Sequence, residues 1–517
     1  MHESQEPQTL GNRLAATPWL MTAIMLHVAA VAIASILYYT HGSAIDDAMP
    51  TEVALTTRPP AMPEFAPPEI IDRLTVPQIA FDEIPTTDNP FDALQDEKSE
   101  QTNEADITAE LAGMRGNDGG ATAIGAGEGH YGPVPSPFGG RPGGPGKYGN
   151  RPTGGGPSSD HLTDDAVMRG LLWLKNHQDA DGRWDADQFM KHDVAGDPCT
   201  GPGNAGTDVG VTGLALLAFL GRGNTLREGP FREVVRSGMR WLVDQQDESG
   251  RIGEPASQSY MYSHAIATLA ICEAYGLSDI AGVTRSRNYS RLRKPAQNAI
   301  NFIVQARNPY GVWRYEPKCA DGDTSITAWM VQALLSAKEF ELLVDDAALK
   351  SATVWFDSVT DTATGASGYT RLGDGSSRPV GKQNQFPSAR SEALTAAVLL
   401  CRYLMHQEPK DVPTMSLAAE TMLKKPPVWN EADGSIDMYY WYYASYALYQ
   451  AGGKPWDTWS KKMVAASIKT QRQDGNAKGS WDPVDAWGED GGRVYATAIM
   501  VLILEAQYRY ARVLGGR

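Results

Sequence analysis

The chain is short of cysteine and of positive charge. Its four cysteines (Cys199, Cys272, Cys319, Cys401) form no C-x-x-C pair and no zinc-finger spacing. Lysine and arginine number 46 against 62 acids, a net charge of −16. That balance argues against a nucleic-acid backbone or an anionic lipid surface as the main partner. No D-D-x-x-D run is present to hold a magnesium-bound pyrophosphate. Aromatics, by contrast, are plentiful, with 13 tryptophans and 21 tyrosines, most of them after residue 160. They suit a large core or an aromatic-lined cavity.

At 517 residues the chain exceeds one ordinary core, and its composition divides it. Residues 1–16 are polar and read as a cytoplasmic tail. Residues 17–39 contain the apolar run Trp19–Tyr39, about 20 residues and long enough to span a bilayer. A cleaved signal peptide has a shorter apolar region and a small-residue cleavage site, so an uncleaved anchor is the expectation. Arg13 precedes the run, and Asp46, Asp47 and Glu52 follow it. The positive-inside bias then puts the rest of the chain outside the cytoplasm, on a single-pass anchor in the inner membrane. Residues 40–160 are rich in Pro, Gly and acids, with RPPAMPEFAPPE and GGRPGGPGKYGNRPTGGG, and form no plausible core. They read as a disordered linker.

From residue 161 to 517 a plan repeats. Gly322–Ala337 shows it best: a polar opening around Asp323, Thr324 and Ser325, then about three turns of almost wholly apolar helix. A helix apolar on all sides is buried on all sides. Similar stretches are Thr207–Gly221, Tyr260–Gly276, Ser391–Leu404, Ser435–Gly453 and Gly491–Gln507. Each follows a helix end and a turn of the form Q-x-x-x-G-x-W, as in Gln178–Trp184, or a weaker copy of it. Six amphipathic helices, each followed by an apolar one and without polar end caps, predict an all-α (α/α)6 toroid with inner and outer rings.

Those turns, with TGLALLAFLG, YSHAIATLAICEAYG, GDTSITAWMVQAL and GGRVYATAIMVL, resemble the terpenoid cyclase and protein prenyltransferase superfamily. The resemblance is nearer still to membrane-anchored bacterial proteins with prenyltransferase and squalene oxidase repeats, and it covers about 161–517. Hopene-type cyclases protonate an alkene with the middle Asp of a D-x-D-D-T-A run. Here Asp321 and Asp323 stand near that place, with Thr324 where the third acid belongs. The two can share a proton, or Asp323 can be an N-cap. Prenyltransferases hold zinc with Asp, Cys and His. Asp197 and Cys199 match the local spacing and His264 resembles the family His, but the half-matches do not combine. No cofactor is therefore expected, with zinc the one to keep open. Cys199 and Cys319 fall in loops on one rim, where a disulfide could join them.

The resemblance and the residues together name Asp321, Asp323 and His264 as catalytic candidates. Tyr260, Tyr262, Tyr439, Trp441 and Arg493 are the ligand-binding candidates. His264, Asp323 and Arg493 are expected to converge at one end of the ring, with Tyr439 and Trp441 facing a central cavity. Three functions follow. The first is a membrane-held module that binds an apolar, isoprenoid-like or envelope ligand, or a protein, without chemistry. The second is a cyclase or transferase using Asp321 or Asp323, and the third a glycan-cleaving enzyme with paired carboxylates.

Overall fold

Among the described residues twelve α-helices alternate, with α1 (Ser159–Asn176), α3 (Arg232–Asp244), α5 (Arg293–Gln305), α7 (Asp346–Val359), α9 (Thr414–Leu423) and α11 (Gly453–Thr470) as one set. The other set is α2 (Asp208–Gly221), α4 (Tyr260–Asp279), α6 (Thr324–Glu339), α8 (Ala393–Leu404), α10 (Met438–Ala451) and α12 (Gly488–Arg509). The computed structural model describes residues 159–227, 229–255, 259–279, 291–510 and 512–513. The chain divides into two units, Met1–Ala66 and Pro67–Arg517, and all described residues belong to the second. The expected tail, membrane span and all but the last two residues of the linker lie outside the described residues. Among the described residues no helix is long and apolar enough to cross a membrane.

The even-numbered helices are the apolar ones and they form a closed ring. α2 packs on α4, α4 on α6, α6 on α8, α8 on α10, α10 on α12, and α12 back on α2. Each odd-numbered helix lies outside the apolar helix before it: α3 on α2, α5 on α4, α7 on α6, α9 on α8 and α11 on α10. The series closes where α1 covers α12. This is the (α/α)6 toroid that the alternation predicts. Burial follows the same division. Every described residue of α8 is buried, whereas α3 buries Val235, Arg236, Gly238, Met239 and Leu242. One hydrophobic stripe suffices for an outer helix; an inner one needs apolar residues all round.

The Q-x-x-x-G-x-W turn has a separate mechanical task for each of its letters. Gln178 donates from Nε2 to Gly182 O and, 3.0 Å away, to Val234 O at the start of the next outer helix. Gln246 reaches Pro295 O in the same way, and Gln471 reaches Ala166 O, which joins α11 to α1. The glycine lets that next helix pass: at Gly182, φ is +101° and a Cβ would sit 2.2 Å from Ser237 O. The tryptophan indole bonds back to its own outer helix, Trp184 to Leu174 O and Trp313 to Ile303 O, both at 2.7 Å. Burying a large apolar ring while satisfying its one donor is the reason for Trp here.

The ring does not stay hollow at depth. Trp329 of α6 stacks on Tyr442 of α10 with centroids 5.5 Å apart at 14°, and meets Tyr443 edge-on at 5.5 Å. α8 stands between these two helices in the ring, so the contacts cross the interior. All three rings are fully buried. Tyr442 and Tyr443 of α10 thus occupy part of the axis at this depth.

Candidate functional site

All six inner helices begin near one end of the ring, and the residues there follow a pattern. Thr212 Oγ1 accepts the N–H of Trp184, Thr327 that of Trp313, Thr395 that of Ser367, and Thr497 that of Trp481. His264 takes this place in the second unit, where its Nδ1 accepts the N–H of Ile252 at 3.0 Å. Bulk has moved from the turn, where Ile replaces Trp, to the helix, where His replaces Thr. The imidazole packs edge-on against Phe302 of the outer helix, with centroids 4.6 Å apart. Burial lowers its pKa to about 3, so it stays neutral at any physiological pH. His264 is a fully buried residue facing the outer shell.

Trp441 stands at the matching position of the fifth unit, with Ile436 in its turn, and it too faces outward, 6.2 Å from Trp429. Arg493 is pinned in place: its Nη2 lies 2.6 Å from Asp482, its Nη1 bonds Ser480 Oγ, and its Nε bonds Thr200 O. It joins α12 to the loop before α2. The phenol of Tyr260 lies within reach of the charges of Glu316 and Arg251, not of Asp323. Asp321 points to solvent and pairs with Arg314 at 2.9 Å, so it shares no proton with Asp323. His264, Asp323 and Arg493 stand on inner helices that begin at the same end of the ring, and each bonds to different partners. Asp197, Cys199 and His264 do not assemble. Cys199 and Cys319 are free thiols.

Three of the expected residues do meet, and others join them. Asp323 caps α6, its Oδ1 accepting from Ile326 N at 2.9 Å. Its Oδ2 accepts from Tyr369 Oη at 2.6 Å, and Tyr369 Oη lies 2.5 Å from Tyr315 Oη. Tyr262 lies within electrostatic reach of Asp323, Tyr369, Tyr439 and Tyr315. Tyr439 bonds Ser325 Oγ at 2.7 Å and packs edge-on with Trp487 at 6.1 Å. Tyr262, Tyr315, Tyr369, Tyr439 and Trp487 are only half-buried, whereas Asp323 is fully buried. The result is a cluster of partly buried phenols and one indole around a sunken carboxyl, the phenol bowl at the mouth of the ring. Burial pushes the Asp323 pKa up to about 6, against the hydrogen bonds from Tyr369 and the helix start.

A second sunken acid borders the bowl. Asp485 Oδ2 accepts from Met438 N and from Tyr495 Oη, each at 3.1 Å. Burial, and then the nearby charge of Asp437, push its pKa up to about 7. Asp437 caps α10 and forms an ion pair with Arg378 at 3.0 Å, both side chains being buried. None of Tyr369, Arg378 or Asp485 stood out in the sequence. Tyr369 and Arg378 come from the long segment between α7 and α8, and Asp485 from the loop before α12, where no periodicity marks them. The phrase D-P-V-D-A-W (Asp482–Trp487) before an apolar helix was the available signal.

Two groups of ligating side chains lie elsewhere. Asp185, Asp187 and Asp208 come together, but Arg183 and Lys191 already neutralise them, with Lys191 3.0 Å from Asp185. His177, Asp193 and Cys199 form the other group.

No family model matches the chain, and no curated protein matches it. Solved structures do. A type II terpene cyclase from Scytonema in complex with merosterolic acid A is 12% identical, over 68% of this chain and 97% of that one, with a TM-score of 0.42. A protein from Actinoplanes is 16% identical over 67% and 99%, with a TM-score of 0.43. A D-mannose isomerase is 12% identical over 69% and 99%, with a TM-score of 0.45. The toroid itself is established by its own closed ring of helix contacts.

His264→Ala is expected to lower stability by roughly 2–4 kcal/mol, from a cavity plus an orphaned backbone N–H. His264→Thr, which restores the acceptor of the other units, should cost less. Urea midpoints measure both, and a catalytic His264 would instead show intact stability with lost activity.

Proposed function

We propose that the helical domain is a binding module, held outside the cytoplasm by the span at 17–39, that takes an uncharged, hydroxyl-bearing envelope ligand of glycan type in the phenol bowl. It performs no chemistry on that ligand. The observation that carries this reading is the stacked plug of Trp329, Tyr442 and Tyr443 beneath the bowl. A long isoprenoid chain folded for cyclisation needs a deep apolar chamber, and those rings occupy the place for it. Both oxygens of Asp323 also accept hydrogen bonds, which favour the ionised carboxylate. Partly exposed aromatic rings with hydroxyls at their edges suit a sugar ring, apolar on its faces and polar at its rim.

One observation favours a second reading. Asp323 and Asp485 both have raised pKa values and border the same bowl, as an acid catalyst of glycosidic cleavage requires. The two readings separate in one experiment on the full chain in detergent, following intrinsic tryptophan fluorescence as soluble glycan fragments or a farnesyl-type alcohol are added. Binding of a glycan, weakened about tenfold or more (~1.4 kcal/mol) by Tyr439→Ala and unaffected in a product assay, is the expected result. Release of shortened glycan, abolished by Asp485→Asn, would establish the enzyme reading. Saturable binding of the alcohol alone would overturn the glycan proposal.

A further inference from the structure

Away from the bowl, at the C-terminal end of α1, three side chains of different chemistry meet in the outer layer. His177 lies just past α1, Asp193 just past a short 3-10 helix (Phe189–His192), and Cys199 six residues further on. One ligating atom from each lies within 4.8 Å of the other two. His177 is 4% and Cys199 7% exposed, and the Asp193 side chain 3%. An imidazole, a carboxylate and a thiol converging in a buried place is an unusual group for a core to hold without a use.

The hydrogen bonds say what the place is built for. His177 Nδ1 lies 2.7 Å from Trp173 O. A carbonyl can only accept, so Nδ1 carries the proton and donates it. The neutral ring then presents the Nε2 lone pair, and what it faces is Asp193 Oδ1 at 3.0 Å. Two lone pairs at that distance repel unless a positive species lies between them. A second proton on the ring would satisfy the His177–Asp193 pair, with Cys199 held on Asp193 by its backbone N–H and its thiol. A divalent cation would engage all three side chains at once. A backbone carbonyl holding the far N–H of a ligating histidine is also the usual way such a ring is oriented toward a metal.

We propose that His177 Nε2, Asp193 and the Cys199 thiolate bind a zinc ion. Zinc accepts nitrogen, oxygen and sulfur together, and bond lengths of about 2.0–2.3 Å put tetrahedral ligands roughly 3.3–3.8 Å apart, within the spread seen here. On binding, the Cys199 thiol loses its proton to solvent, and thiolate plus carboxylate balance the charge of the ion. The ligand cage is held in shape. Trp173 stacks on the His177 ring at 4.0 Å and 24°. Cys199 N donates to Asp193 Oδ2 at 2.6 Å. Asn476, from the sixth unit, clamps the ligand loop through Val194 O at 2.9 Å and Asp197 O at 2.7 Å. Cys199 also lines a cavity of about 520 Å³ with Thr200, Arg472, Asp482 and Arg493. Water from that cavity completes the coordination. This place differs from the inner-helix mouth, where His264 and the Asp321–Asp323 pair stand.

The full chain, purified in detergent and stripped with a chelator, should take up one zinc ion per chain when titrated with zinc chloride against a competing dye. Cys199→Ser and His177→Gln should each weaken binding by about a hundredfold or more, at or beyond the upper end of the loss seen when outer-shell partners are removed. Cobalt(II) in place of zinc should give a near-ultraviolet thiolate-to-metal band in the wild-type protein. That band tests the proposal even if a variant fails to fold. Zinc uptake that Cys199→Ser leaves unchanged, or cobalt bound without the thiolate band, would overturn it, as would no uptake at all by the folded chain. The last outcome would mark His177 and Asp193 as an imidazolium–carboxylate pair.

Discussion

Replacing Arg509 with methionine is expected to destabilise the domain by about 3–5 kcal/mol, the cost of leaving buried charge without its partner. Arg509 sits at the end of α12 and is 1% exposed. Its Nη2 lies 2.7 Å from Glu273 of α4, and its Nη1 lies 3.5 Å from Glu505 and bonds Leu217 O of α2. One guanidinium therefore ties the last inner helix to the first two, at the seam where the ring closes. Tyr510 Oη also bonds Glu273, at 2.8 Å. The double variant Arg509→Met with Glu273→Gln removes one orphaned carboxylate and should recover part of the loss, in a urea double-mutant cycle. A midpoint unchanged by Arg509→Met would show that the seam is held by apolar packing alone.

The second large effect is a dependence on pH. The Asp485 pKa rises from 3.8 to about 7, and that of Asp323 from 3.8 to about 6. A carboxyl whose folded pKa exceeds its unfolded value binds its proton more tightly in the folded chain. Its stabilising contribution is complete below pH 3.8 and is lost as pH rises through about 7 for Asp485, or about 6 for Asp323. A shift of about three units corresponds to on the order of 4 kcal/mol, and of about two units to roughly 3 kcal/mol. Asp179, Asp185, Asp247 and Asp374 have lowered pKa values and act in the opposite sense, losing their contribution as pH falls. Wild type and Asp485→Asn should therefore be compared directly. Stability of the variant relative to wild type should rise by about 3–4 kcal/mol between pH 4 and pH 8, then level off. A flat difference across that range would mean that Asp485 is ionised throughout and that Arg378 reaches beyond Asp437 to neutralise it.

The toroid was legible because its causes are local. Glycine where a neighbouring backbone passes, glutamine where two helices are joined, and apolar residues all round every second helix are each written within a few consecutive residues. One cap was legible too: Asp323 accepts from the backbone three residues on, as an acid at a helix start does. His264 and Trp441 misled for a physical reason. Each stands where other units have threonine, so a residue type that suggests chemistry was serving as bulk against the outer shell. Aligning the six units position by position would have revealed the exchange.

The candidate site was legible only in part. Asp323, Tyr262 and Tyr439 lie on inner helices whose phase follows from periodicity. Tyr369, Arg378 and Asp485 arrive on irregular segments, and where an irregular segment comes to rest depends on contacts far away in the chain. The same holds for His177, Asp193 and Cys199, whose loop is fixed by Asn476 at a separation of some 280 residues. Sequence alone thus determined the kind of fold, the number of its units and the end of the ring to inspect, because repeated local patterns act through the nearest helix. Tertiary structure decided which acids are sunk, which aromatic rings occupy part of the axis and which stay at the mouth. Burial and ring-to-ring contact are properties of the closed circle, and no single repeat contains them.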